Sequence, residues 1–405
     1  MSAIAPDRSA FRAAIDLAYP AEISVVGRYR NVFTLGQPEE DATYKRALLQ
    51  SSLGEGARVF SLFDYRGVEV FVLDESSLMH TGTLKSIDGC IAAAKCRLAG
   101  ITRTVFESGG NTGTALTVYG QQAGMETFFF VPEASLPLLD SGVFEVARAH
   151  LIAVSDPGMV KQATRALGRL NGVRHIPEVP WRYEAARFRG CFILEHSMIQ
   201  GGFDWLVQTI SAAFGPIGIY DVLSHFASRP DAVPRFLGVQ QEANCPMYRA
   251  WKAHREGADA APPVPADGSN LLTKVMYDVA PQTYGTFDDL KSVLTATRGD
   301  LTTINHSEFA GLLGQRFGGR SLLGLFEERG ARIGTRGADV VEKTGLIALA
   351  GAIKAIDRGT IALGSRVLCC LTSGTRPGDG RAVPDCRVSS LEDVERECRG
   401  MIHGS

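Results

Sequence analysis

The sequence predicts an α/β protein with mostly parallel sheets flanked by helices. Three observations carry that prediction. Short β-branched or aromatic runs alternate with segments of helical period. Several of the runs end in Gly, Ser, Thr or Asn loops that open the next helix, as strand–helix–strand units do. The length of 405 residues, with 45% hydrophobic and 21% charged, suits a globular chain of two lobes sharing a cleft.

In chain order, residues 1–50 read as helix and loop with a polar break at 36–41. The turn Ser51–Gly56 leads into strands Arg58–Phe63 and Val68–Leu73, separated by Asp64-Tyr65-Arg66-Gly67. From Lys85 the period changes: Ile87, Ile91, Ala94 and Leu98 share a helix face, and Ala99-Gly100 ends it. Ile101–Phe106 is a strand, Thr112–Gln122 a helix, and Thr127–Val131 a strand stopped by Pro132. The alternation continues with strand His150–Val154 and helix Pro157–Leu170. Strand Trp205–Ile210 runs into the loop Ser211–Gly218, followed by a helix from about Ile219 to Phe226 and strand Arg235–Val239. Residues 256–269 are rich in Ala, Pro, Gly and Asp and read as an exposed loop. Helices Thr286–Thr297 and Gly345–Asp357 follow. Strand Arg366–Leu371 then ends in Thr372-Ser373-Gly374-Thr375. The chain has no internal repeat.

Composition narrows the function classes. A formal net charge of -2 gives no electrostatic reason to expect nucleic acid or an anionic membrane as partner. The eight cysteines are scattered, without a C-x-x-C pair or a zinc-like grouping, so no metal is expected and the thiols read as reduced. The first sixteen residues lack the apolar centre of a signal peptide, and no run approaches the ~20 apolar residues of a membrane span. The expectation is a soluble, cytoplasmic protein.

Ligands of parallel sheets bind beyond the carboxyl ends of the strands, which directs attention to Ser108–Thr112, Ser211–Gly218 and Thr372–Thr375. Lys85, at a helix start behind Gly82 and Thr83, is the fourth candidate. A lone lysine is most often a solvated surface charge. A partly desolvated one is an amine nucleophile able to hold an aldehyde cofactor as a Schiff base. Ser211–Gly218 precedes a helix and offers N–H groups to a phosphate, but it is neither a Walker loop nor G-x-G-x-x-G, and an ordinary strand–helix turn explains it equally well. Asn111 is also a common helix N-cap residue, and Ser373 and Thr375 are common turn residues.

Taken together, these stretches resemble the fold type II pyridoxal-phosphate enzymes, and within them threonine synthase and paralogs such as cysteate synthase. Thr83-Leu84-Lys85 with Asp88-Gly89 is similar to the family's Ser-Phe-Lys-Asp-x-Gly motif. Ser108-Gly109-Gly110-Asn111-Thr112-Gly113 resembles its Ser/Thr-x-Gly-Asn-Thr/Ser loop. Gly124-Met125 through Val131-Pro132-Glu133, Phe203-Asp204-Trp205 through Gly215-Pro216-Ile217-Gly218, and Gly238-Val239-Gln240 with Ala243-Asn244-Cys245-Pro246 follow in family order. So do Thr286–Leu290, Glu342 with the helix from Gly345, and Leu371–Gly374. The likeness runs from about Ser51 to Thr375.

The resemblance implies a two-lobed α/β fold, each lobe a mostly parallel sheet flanked by helices. Residues 1–88 and 204–405 would form a large cofactor-binding domain, and 89–203 a smaller mobile one. It implies pyridoxal 5'-phosphate as cofactor, with Lys85 linked to it and shuttling the Cα proton, and Asn111 bonded to its ring hydroxyl. Its phosphate would lie on Ala212, Ala213, Phe214, Gly215, Ile217 and Gly218, and Ser373 or Thr372 would face the pyridine nitrogen. Ser108, Gly109 and Thr112 would grip the substrate carboxylate.

The reaction implied is β- or γ-elimination and replacement on an O-phosphorylated or otherwise O-activated amino acid, with a small nucleophile and a homodimeric enzyme. A threonine or serine dehydratase-like lyase is the alternative within the class, and a catalytically silent ligand-binding homolog the alternative outside it. Three departures stand out. Ser86 and Ile87 separate Lys85 from Asp88, Gly56-Ala57-Arg58-Val59 replaces the family's Gly-Asn-Thr-Pro-Leu, and Ala212, Ala213 and Phe214 occupy the phosphate loop. Arg28, Arg30, Arg58, Arg103 and Arg376 are candidate partners for an anionic substrate group, against the commoner reading of surface charges.

Overall fold

The computed structural model describes residues 2–169, 172–176, 179–229, 232–257, 270–276, 285–331, 333–337, 339–341, 343–373 and 382–403. Two sheets carry the fold. The larger contains β1 (Arg58–Tyr65), β2 (Val68–Asp74), β7 (Trp205–Thr209), β8 (Arg235–Gln241), β9 (Asp300–Ile304) and β10 (Arg366–Leu371). Its order is β9-β8-β7-β10-β2-β1, parallel throughout except for the β1–β2 hairpin. The smaller contains β3 (Arg103–Glu107), β4 (Glu126–Pro132), β5 (Ala149–Val154), β6 (Arg174–His175) and β11 (Cys386–Val388). These run β11-β5-β4-β3-β6, all parallel. The chain is therefore α/β with two parallel-sheet lobes, as expected.

The strands follow from side-chain burial on both faces. In β4, Phe128, Phe129, Phe130 and Val131 are all buried, a continuous apolar run that only a sheet covered by helices on each side accepts. The covering helices used below are α1 (Lys85–Leu98), α2 (Asn111–Gln122), α3 (Val160–Leu167), α4 (Val179–Gln200), α5 (Phe214–His225), α6 (Phe287–Thr297), α7 (Thr344–Asp357) and α8 (Leu391–His403). Helix α7 is buried from Gly345 to Ile356 except at Lys354 and lies against β7, β8 and β10. Lys354 reaches out to the Glu308 carboxylate at 2.6 Å.

Several elements differ from the sequence-based expectation, which placed no strand at β6 or β9. Helix α5 begins at Phe214, about five residues before the predicted start, because Pro216 sits in the first turn, where its missing N–H has no intrahelical partner to lose. Phe214, Gly215, Ile217 and Gly218 are thus helical, and the loop proper is Ser211–Ala213. Helix α4 was not foreseen. Its buried Arg182, Glu184, Arg187 and Arg189 interrupt the apolar stripe that periodicity detects. At the C-terminus, β11 pairs with β5 and α8 packs on α3, with Val394 and Cys398 entering the core beneath the smaller sheet. Residues 385–403 therefore extend the smaller sheet rather than the larger lobe to which 204–405 was assigned, and they cover an edge that β5 would otherwise expose. The final residue of the predicted helix Pro157–Leu170 lies outside the described residues, as do 258–269 of the predicted loop 256–269.

No helix among the described residues is long and apolar enough to cross a membrane. All eight cysteines are free thiols, seven of them buried.

Gly351, in the middle of α7, lies so close to β8 that an added Cβ would overlap the Val239 side chain. Gly351→Ala should therefore destabilise the protein by about 1–3 kcal/mol through overpacking. In an exposed helix the same change would stabilise by up to about 1 kcal/mol. Urea unfolding of the two proteins gives the sign.

Candidate active site

The loop before Lys85 is fastened to the carboxyl end of the larger sheet. Asp74 closes β2, and its Oδ1 accepts from the N–H groups of Ser76 (3.1 Å) and Ser77 (2.9 Å). The Glu75 N–H donates to Leu371 O at 3.0 Å, and the Leu84 N–H donates to Thr372 O at 2.9 Å. Ser76 Oγ donates to Gly82 O at 2.8 Å, and Ser86 Oγ accepts from the Thr81 N–H at 3.0 Å. These bonds bring Lys85, at the first position of α1, beside Thr372 and Ser373. Both of these are buried, and Ser373 O lies 2.5 Å from where a Cβ on Gly345 would stand.

The Lys85 side chain is 16% exposed. Its Nζ stands 4.1 Å from the centre of the Phe214 ring and 3.5 Å from Asp88 Oδ2, one helical turn further along α1. Burial pushes the amine down from 10.5 to about 8. Asp88 opposes that fall, while the guanidiniums of Arg182 and Arg189 add to it. This is an amine whose neutral, nucleophilic form is within reach near neutral pH.

Beneath Phe214 lies a buried ionic cluster. Arg189 Nε and Nη2 donate to the two Glu75 carboxylate oxygens, each at 2.6 Å, and Nη2 also donates to Gln208 Oε1 at 2.8 Å. A Cβ on Gly215 would stand 2.7 Å from Gln208 Nε2 and 3.1 Å from Arg189 Nη1, so only glycine lets α5 start above this cluster. Gly218 has a different task. A Cβ there would meet Ala186 Cβ at 2.5 Å and Tyr183 O at 2.7 Å, so it allows α5 to approach α4.

Three of the proposed phosphate donors are already engaged, Gly218 being the fifth residue of α5, where the N–H bonds within the helix. The Ala213 N–H donates to Gly285 O at 2.8 Å and the Ile217 N–H to Ala213 O at 3.2 Å. Phe214 and Gly215 stand in the first turn, where N–H groups have no intrahelical acceptor, and Ala212 precedes them. Gly285, at φ +57°, packs its Cα onto the Ala213 and Phe214 nitrogens, and its own N–H donates to the Tyr183 hydroxyl at 3.0 Å.

In the smaller lobe, Ser108, Gly109, Asn111 and Thr112 are half-buried at the carboxyl end of β3 and the start of α2. The loop turns on Gly110, at φ +154°, whose N–H donates to Ser108 Oγ at 3.0 Å. Gly109 packs against the carbonyls of Lys274 and Val275, and Gly110 against the Val275 side chain. The segment Asn270–Met276 is tied in turn to the larger sheet. Gln241 Nε2 donates to Thr273 O (3.1 Å) and Met276 O (3.0 Å), and Asn244 Nδ2 donates to Met276 O (3.1 Å). This strap between the lobes was not visible in the sequence.

Four of the five candidate anion-binding arginines are spoken for. Arg28 pairs with Glu195 at 2.5 Å, Arg30 with Asp16, Arg58 with Asp74 at 3.2 Å and Arg103 with Glu126 at 2.6 Å. Arg376, Gly374 and Thr375 lie outside the described residues. Arg182, Arg189, Glu75 and Gln208 escaped sequence reasoning. The one signal for Arg182 and Arg189 was arginine and glutamate recurring within the 22-residue segment Val179–Gln200, and Glu75 and Gln208 lie outside it.

Arg189 and Glu75 are each 2% exposed, so Glu75→Ala would leave a buried guanidinium without its counter-ion. The expected cost is about 3–5 kcal/mol, read as a fall in the chemical-denaturation midpoint. A loss below about 1 kcal/mol would show that the pair is not the anchor described.

Comparison with known proteins places the chain in a family. The pyridoxal-phosphate dependent enzyme family matches residues 57–295. A cysteate synthase from Methanocorpusculum labreanum is 23% identical over 331 residues, covering 80% of this chain and 75% of that protein. A threonine synthase from Methanosarcina acetivorans is 23% identical over 338 residues, covering 81% and 76%. Among solved structures, threonine deaminase isoform 2 from Solanum lycopersicum shares the fold with a TM-score of 0.56 at 13% identity, covering 90% of this chain and 89% of that one. With a buried lysine amine at the carboxyl end of one parallel sheet and the family's sequence pattern over more than half its length, the chain belongs to the pyridoxal-phosphate dependent enzymes.

Proposed function

We propose that this enzyme removes a β- or γ-substituent from an amino acid and replaces it with a small nucleophile, as its likeness to proteins named cysteate synthase and threonine synthase suggests. The observation that carries the proposal is the Lys85 amine, buried between Phe214 and Asp88 with its proton affinity lowered to about 8. The substrate proposed is an O-phosphorylated or otherwise O-activated amino acid, whose substituent leaves more readily than hydroxide.

The residues fit the cofactor. Pyridoxal phosphate, when bound, supplies an electron sink that weakens the bonds at an amino acid's α-carbon. Lys85 would hold it covalently and move the Cα proton at Nζ. The donors proposed for its phosphate narrow to Ala212, Phe214 and Gly215, at the positive end of the α5 dipole. Asn111 would bond its ring hydroxyl, and Ser108, Gly109 and Thr112 would orient the substrate carboxylate. A neutral hydroxyl from Ser373, or Thr372, at the ring nitrogen lacks the charge to keep that nitrogen protonated, which favours expulsion of a leaving group over other fates.

The reading is tested by adding O-phosphoserine, O-phosphohomoserine, serine, threonine and cysteine to the holoenzyme while following the visible spectrum and the products. An O-activated amino acid should change the spectrum and release its substituent, and a nucleophile should then be incorporated. Formation of a 2-oxo acid and ammonia from the amino acid alone would replace this reading with a dehydratase. Lys85→Ala should abolish the covalent cofactor band and lower turnover by roughly a thousandfold or more. Unchanged activity would end the assignment. Because a side chain at Gly285 would displace the start of α5, Gly285→Ala should weaken cofactor binding about tenfold, or 1.4 kcal/mol, in a fluorescence titration.

A further inference from the structure

Two thiols meet in the C-terminal extension of the smaller sheet. Cys386 opens β11, and Cys398 lies on α8, one helical turn beyond Val394. Both pack into the core beneath that sheet, where Cys398 is buried and Cys386 half-buried. Their side chains share a hydrogen bond. The short turn joining strand to helix is closed by side chains. Asp393 Oδ2 accepts from the N–H groups of Ser389 and Ser390, each at 3.0 Å, and Ser390 Oγ accepts from the Asp393 N–H at 3.1 Å. On its other side β11 is tied to β5, where the Asp385 N–H donates to Leu151 O at 2.8 Å and Asp385 Oδ2 accepts from the Leu151 N–H at 2.7 Å. We propose that Cys386 and Cys398 form an oxidation site, at which a low-molecular-weight disulfide closes a bond between β11 and α8.

The two sulfurs are unequal, and that sets the order of events. The hydrogen bond from Cys398 holds the Cys386 thiol below its usual value, against its burial and the charges of Glu397 and Asp385. The same hydrogen bond, together with burial, pushes Cys398 up. Cys386, which is also the more accessible of the two, is therefore the thiol that ionises and attacks. Its thiolate bonds to one sulfur of the small disulfide, and the other sulfur leaves as a thiolate. Cys398 then gives up its proton and attacks the Cys386 sulfur, expelling the second small thiolate. Two protein thiols are oxidised to one disulfide, the small disulfide is reduced to two thiols, and the two protons end on those products.

The other six cysteines are all buried. Burial pushes the thiols of Cys90, Cys191, Cys245, Cys369 and Cys370 up, so these five have neither the access nor the ionisation that attack requires.

The test incubates the native holoenzyme with oxidised glutathione, blocks the remaining thiols by alkylation and maps the peptides by mass spectrometry. A Cys386–Cys398 disulfide should form before any other thiol reacts, and dithiothreitol should reverse it. In Cys398→Ser the reaction should stop at a glutathione adduct on Cys386. In Cys386→Ser neither a disulfide nor an adduct on Cys398 should appear. Absence of reaction at Cys386, an adduct there that persists in the wild type, or earlier reaction at another cysteine would overturn the proposal. If Cys398→Ser fails to fold, Cys386→Ser decides, because an adduct on Cys398 in that variant would show that Cys386 is not the point of entry.

Discussion

Arg189 reaches from α4 to the sheet beside Cys370 of β10, where it grips both oxygens of Glu75 and the side-chain carbonyl of Gln208. A guanidinium and a carboxylate so deeply buried are tolerable only when their hydrogen-bonding groups are matched, because desolvation of each ion otherwise outweighs their attraction. That requirement fixes three elements at once. The end of β2 must present Glu75, β7 must present Gln208, and α5 must begin with a residue lacking a side chain at Gly215. The cluster thus sets where the lysine loop, the start of α5 and the long helix α4 meet. The Arg189 guanidinium also acts on Lys85, adding to the fall in proton affinity that burial causes.

From this anchor the site extends in two directions. Toward the larger sheet, backbone bonds from Glu75 and Leu84 to the end of β10 hold the Lys85 backbone beside Thr372 and Ser373, and Asp88 and Phe214 flank its amine. Toward the smaller sheet, the Ser108–Thr112 loop is reached through the strap Asn270–Met276, which Gln241 and Asn244 hold by amide bonds. A reagent seated between the lobes would meet the Lys85 amine on one side and the loop that turns on Gly110 on the other.

Several features of the site were legible because they are local. Lys85 stands at a change of period, and the small residues of 108–113 follow an apolar strand. Strands such as β4 and β10 announced themselves by continuous apolar runs. Ile217 and Gly218 were expected in a loop because a Gly-Pro sequence resembles one. In the structure Ile217 donates within the helix and Gly218 serves packing against α4. Helix α4 stayed hidden because its inward face carries charges, whose partners on other elements no periodicity can reveal.

By itself, then, the sequence determined the α/β alternation, the parallel sheets, the lysine and the glycine-rich turns, since each depends on residues close in the chain. The tertiary structure alone decided which charges face one another. Asp88 between Lys85 and Arg182, Glu75 on Arg189, Gly285 on the start of α5 and β11 on β5 all join residues distant in sequence, apart from the Lys85–Asp88 turn. The physical reason is that a hydrophobic pattern encodes which face is buried, whereas the electrostatics of a site depend on distance and solvent exclusion, which exist only once the chain has folded.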